Sequence, residues 1–137
     1  MARPDAPKPP AAFPLGFHGV AIVTASTRDQ LRMQSAIGTI DALRAMGFKH
    51  KEIERMSAGL PVTLRSMGLA ATLAILLKGA DGERNIADDV ARWFGFETTG
   101  AGGFIRVLVA SDATEVALAE EEAGRLIEEI KRFAVLV

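Results

Sequence analysis

Apolar positions recur three and four residues apart along most of this chain, the spacing of helices that bury one face. The densest run, residues 59–78 (GLPVTLRSMGLAATLAILLK), is apolar nearly all round. That pattern predicts a helix buried at the centre of a bundle. Gly59 is expected to end the preceding helix in a left-handed conformation, and Pro61 suits the first turn that follows. Leu64, Met67 or Gly68, Ala71 and Ile75 repeat at helical spacing, while Leu69, Leu73, Leu76 and Leu77 fill the remaining circumference. The small residues Gly68, Ala70, Ala71 and Ala74 leave room for neighbouring helices. Lys78-Gly79 closes the run with a cation at the negative helix end and a C-cap glycine. Its apolar length falls short of the roughly 20 residues that cross a bilayer, so no membrane partner is expected.

The same reading gives the flanking helices. Ser26 or Thr27 caps a first helix with Asp29 in its first turn. Leu31, Met33, Ile37, Ile40 and Leu43 form its stripe to about Met46, where Gly47 stops it. Gly38 inside this helix costs up to about 1 kcal/mol against alanine, so a close helix crossing is expected there. Residues 48–58 form a second helix with Ile53 and Met56 inward and Lys51 and Arg55 outward. After a polar loop, Asn85 caps a helix carrying Ile86, Val90, Trp93 and Phe94, and Gly95 ends it. Residues 97–103 read as a glycine-rich loop. Residues 104–110 fit a buried strand or a short buried helix, and the helical surroundings favour helix. A last helix runs from near Ala117 to Ala134, with Ala119, Ala123, Leu126, Ile127, Ile130 and Phe133 inward. The expected fold is all-α, a single compact bundle of five to six helices around a buried central helix. A Pro-rich N-terminal arm over residues 1–25 precedes the bundle domain of residues 26–137.

Composition narrows the chemistry. With 137 residues and 49% of them hydrophobic, the chain can build one domain with a core. It has no cysteine and only two histidines, His18 and His50. A thiolate metal site, a cysteine nucleophile and a histidine-rich metal centre are excluded, and no cofactor is expected. Prolines crowd the first segment where a signal sequence would need an apolar run, so a cytoplasmic protein is expected. Adjacent carboxylates such as Asp88-Asp89 do not face each other on a helix, and they read as capping and solubility. Glu120, Glu121 and Glu122 read the same way, and Glu128-Glu129 reads as solvent-facing. His50 has no carboxylate to orient it, and Ser57, Ser66 and Thr72 lie in no nucleophile elbow. The glycines of residues 98–103 lack the Lys-Ser/Thr of a phosphate loop.

Charge is unevenly placed. Up to Lys78 there are ten cations and five carboxylates; beyond it there are six and twelve. Arg28, Arg32, Lys49, Lys51, Arg55 and Arg65 fall on the first helices and at the start of the central run. If those helices are neighbours, the cations form a strip that binds phosphates without reading bases. The strip contains no tyrosine, so base stacking is not on offer.

Two stretches carry a resemblance. Leu60-Pro61, Leu64-Arg65, Gly68-Leu69 and Thr72-Leu73-Ala74 with Leu76-Leu77 resemble the LPxxIxxxGLxxxLAFL-like core helix of one family, the small subunit of the type III-B CRISPR effector, the Cmr complex. Glu122-Ala123, Ile127 and Ile130-Lys131-Arg132-Phe133-Ala134 resemble its closing helix with a (W)LKRFA-like end. Arg32 and Ala36 stand at its basic opening position. The resemblance covers roughly residues 27–134. It departs at Met67, where the family often has Asn, at Glu129, where it has Trp, and at Val116, in place of a usual tyrosine. The Pro-rich arm lies outside the pattern.

The resemblance implies an all-helical, non-catalytic protein whose copies stack head to tail beside the subunits that hold the guide RNA. Its implied partners are the backbone and large subunits, neighbouring copies, and guide and target RNA through their phosphates. On that reading Arg28, Arg32, Lys49, Lys51, Arg55 and Arg65 contact nucleic acid. Two other readings are kept. One is a helical protein–protein adaptor using the acidic last helix or residues 13–23. The other is an enzyme whose Asp88, Asp89 or Glu97 converge in a pocket.

Overall fold

In the computed structural model, residues 25–137 are described, with side chains from Thr27 onward. The arm expected over residues 1–25 lies outside the described residues, save for Ala25. Seven helical segments follow one another: α1 (Ala25–Ala45), α2 (His50–Ala58), α3 (Leu60–Met67), α4 (Leu69–Leu77), α5 (Asp81–Trp93), α6 (Gly100–Ala110) and α7 (Ala113–Leu136). They form one all-helical bundle around a shared core. Counting α3 and α4 as the two halves of the predicted central run gives six.

That run is broken because Gly68 has φ 87° and ψ 170°, a conformation open to glycine almost alone. A Cβ at this position would lie 2.9 Å from Glu120 Oε2. The same carboxylate oxygen accepts from the Leu69 amide at 3.0 Å, so a side chain of α7 caps the start of α4. Gly59, expected to be left-handed, has φ −91° and ψ −2°. It is a single-residue link between α2 and α3, and Pro61 sits in the first turn of α3. Leu64, Leu69, Thr72, Leu73 and Leu76 are buried, whereas Val62, Met67 and Ile75 are about half exposed. The run is therefore buried on one side of each half rather than all round.

The long last helix is the spine against which the first three helices pack. Arg32 meets Glu122 and Arg44 meets the Val137 carbonyl, so α1 runs parallel to α7. Arg65 of α3 meets Glu128 and Gly68, just past the end of α3, lies against Glu120, so α3 runs antiparallel to it. Helices α4, α5 and α6 close the other side, with the rings of Phe94 and Phe96 4.7 and 4.9 Å from that of Phe104. Gly82 of α5 is buried, and a Cβ there would lie 2.7 Å from Met56 Sδ. That close approach seats the start of α5 on α2.

Several boundaries differ from expectation. Helix α5 starts at Asp81, four residues before Asn85, because Glu83 Oε1 reaches back to the Ala80 amide at 2.8 Å. The expected 97–103 loop is shortened because Gly100 already opens α6, whose Ala101 amide donates to Asp88 Oδ1 at 3.0 Å. Residues 104–110 are helical as favoured. Helix α7 begins at Ala113, capped by Asp112, whose Oδ1 accepts from the Glu115 amide at 2.8 Å. The close crossing expected at Gly38 is absent, since a Cβ there would have nothing within 4 Å. Among the described residues, no helix is long and apolar enough to cross a membrane.

Candidate nucleic-acid interface

The shortest route to the exposed cations is through α2. Ile53 and Ser57 turn inward, and both are almost fully buried. One helical turn apart on the opposite side, Lys51 and Arg55 are exposed, as is Lys49 at the N-cap. Such alternation follows from 100° per residue: a helix that buries positions 53 and 57 must expose 51 and 55. Lys49 does not pair with Glu52 through its side chain; its backbone amide donates to Glu52 Oε1 at 2.8 Å. Among the described residues, Lys49, Lys51 and Arg55 have no carboxylate within salt-bridge distance. His50 stands 3.8 Å from Glu54 on the same helix.

Arg65 lies on α3, the next helix after the single residue Gly59. Its guanidinium is exposed and only 3.9 Å from Glu128. An exposed pair at that distance is worth well under about 1 kcal/mol, so Arg65 is free to exchange partners.

Arg28 and Arg32 do not join them. Arg28 lies in the early turns of α1, about 25 Å along the axis from the turn into α2. It is half-buried, and its Nε has no hydrogen-bond partner among the described residues. Arg32 is a correction to the expected strip: it is only 3% exposed. Its Nε and NH2 group donate to the two Glu122 oxygens at 2.8 Å each, and its NH1 group donates to Asp29 at 2.5 Å. The Glu122 hydrogen bonds, and behind them the charges of Glu122 and Asp29, raise its pKa above the ordinary arginine value against the opposing effect of burial. Buried, and with three of its five N–H donors bound to carboxylates, Arg32 is not open to a phosphate.

Glu122 also accepts from Trp93 Nε1 at 2.9 Å. One buried carboxylate therefore joins α1, α5 and α7, and its role is not solubility. Asp89, in the same region, accepts from Thr39 Oγ1 at 2.9 Å and Asn85 Nδ2 at 3.3 Å and pairs with Arg92. Asp88 and Asp89 thus cap and brace, and Asp88 is committed to α6. Among the described residues, no group of three His, Cys, Asp or Glu side chains is placed to hold a metal ion.

The family follows from a comparison of the chain with known proteins. A family model described as CRISPR-associated protein (Cas_Cmr5) matches residues 28–137. The chain belongs to the Cmr5 family. The X-ray crystal structure of a CRISPR-associated Cmr5 family protein from Thermus thermophilus is similar, with a TM-score of 0.68 and 24% identity. The similarity covers 77% of this chain and 95% of that one, and at such identity it speaks for the fold. No curated protein sequence matches the chain. Cmr5 proteins are non-catalytic subunits that assemble with other subunits into Cmr effector complexes. The resemblance noted in residues 60–77 and 122–134 falls inside the matched region.

Proposed function

We propose that this chain serves a cytoplasmic, type III-B Cmr effector by lining its guide–target duplex with the cations of α2 and α3, copies of the chain standing in line along the complex. The observation that carries this reading is the pair Lys51 and Arg55 on the exposed side of α2, without carboxylate partners among the described residues, with Lys49 exposed at the N-cap and Arg65 exposed on the next helix, α3. Three or four cations on one chain bind phosphates weakly and without sequence preference. Several copies along one duplex multiply that effect without any new contact.

Photocrosslinking in a reconstituted complex tests the placement. With 4-thiouridine in the target RNA, crosslinked peptides should come from α2 and the adjoining part of α3. Crosslinks confined to α5 or α7, or none from this subunit, would move its role to protein contacts alone.

A further inference from the structure

Helices α3 and α7 flank an open groove of about 640 Å³. A Cβ at Gly124 of α7 would meet Leu64 Cδ2 of α3 at 3.6 Å, so the two helices are in van der Waals range at this turn. Glu128 follows Gly124 by one helical turn, and Arg65 follows Leu64 in the chain. The packing that seats Leu64 therefore also sets the Arg65 guanidinium 3.9 Å from Glu128 Oε2.

The other two carboxylates of this groove are committed. Glu120 accepts from the Leu69 amide at 3.0 Å, and Glu121 accepts from the NH2 group of Arg125 at 2.9 Å. Glu128 holds Arg65 by charge alone, because the gap is too long for a hydrogen bond and both side chains are exposed. Lys51 and Arg55 have no such neighbour among the described residues. Arg65 is thus the one cation of the proposed RNA contact with a resident anion beside it. A phosphate can take two parallel hydrogen bonds from a guanidinium, so it outbids a carboxylate that makes none. Once it has done so, Glu128 stands next to a second anion, and that repulsion opposes the contact.

We propose that Glu128 is a built-in competitor for the RNA phosphate at Arg65. It occupies the guanidinium when no duplex is bound, is displaced when a phosphate arrives, and so holds the affinity of each copy below what its cations allow. This rests on the RNA-contact reading and adds a control on one of its cations. Target-RNA binding by reconstituted effectors of normal composition tests it through a double-variant cycle. Glu128→Gln should tighten binding about two- to fivefold. In an Arg65→Gln background the same change should gain markedly less, and Glu97→Gln, which removes another exposed charge from the link between α5 and α6, should gain nothing. Equal gains with and without Arg65, or an equal gain from Glu97→Gln, would overturn the proposal, because the effect would then be one of net charge. So would unchanged binding by Glu128→Gln in a series where Lys51→Gln with Arg55→Gln weakens it, an outcome that leaves the RNA-contact reading standing. If that cation pair can also be changed without effect, both fall.

Discussion

Arg32 and Glu122, 90 residues apart in sequence, meet through two parallel hydrogen bonds of 2.8 Å inside the bundle. Each is at most 5% exposed. The pair fixes which turn of α1 lies against which turn of α7, because a slip of either helix would strand both charges in the core. Trp93 completes the arrangement by donating to the same carboxylate.

Breaking this pair from one side should be severe. Arg32→Ala leaves the Glu122 charge buried and is expected to cost about 3–5 kcal/mol in urea unfolding. Replacing both partners, Arg32→Met with Glu122→Leu, should cost much less than either single change. What remains then is the lost acceptor of Trp93, about 1–3 kcal/mol. Because the Arg32 pKa is raised in the folded state, its contribution is complete below the ordinary arginine pKa. It is lost only as pH rises through the raised value, so mild alkali should not weaken this contact. A double-variant loss equal to the sum of the two single losses would show that the pair is not coupled.

Gly68→Ala tests the break in the central run. Alanine must adopt φ 87° there, and its Cβ would crowd Glu120. A loss of about 1–3 kcal/mol is expected from the backbone strain alone. Denaturant midpoints that match the unchanged chain would mean that α3 and α4 merge into one helix at no cost.

Asp112→Ala removes the cap of α7. The lost bond to the Glu115 amide should cost about 1 kcal/mol, and amide exchange should accelerate in the first turn of α7 while α1 stays protected. Uniform acceleration through the whole bundle would argue that the cap acts on global stability instead.

Ile53→Ala separates fold from surface. Ile53 is 1% exposed and holds α2 in place, so a cost of about 2–5 kcal/mol is expected. The substitution should also blunt any RNA contact through α2, although no charge is changed.

Much of this architecture could be read from residue order. The stripe Ala119, Ala123, Leu126, Ile127, Ile130 is buried as its spacing requires, and the ends at Gly47 and Gly95 follow from their positive φ. The expected central helix failed at one residue: Gly68 reads as a packing residue, whereas its positive φ breaks the helix. Nothing local distinguishes those roles, since the deciding partner, Glu120, lies far along the chain on α7. Leu31 is exposed while Arg32 is buried, so hydrophobicity alone misplaces the face of α1. A signal for the buried pair does exist. Glu122 falls three residues after Ala119 and four before Leu126, inside the apolar stripe, and Arg32 falls four before the buried Ala36. A charge at a stripe position calls for an opposite charge at another. The strip of cations is legible only where helix phase decides exposure, at Lys51 and Arg55. Arg28 and Arg32 entered it by charge without a partner in view.

The most direct test of the RNA-contact reading is the salt dependence of target-RNA binding by the assembled effector, with and without the triple change Lys49→Gln, Lys51→Gln, Arg55→Gln. If these side chains neutralise phosphates, binding weakens at physiological salt, and the slope of log K against log salt becomes shallower by up to about 2–3 per altered copy. An unchanged affinity and an unchanged slope in a complex of normal composition would contradict it and leave this subunit a purely protein-binding part of the effector.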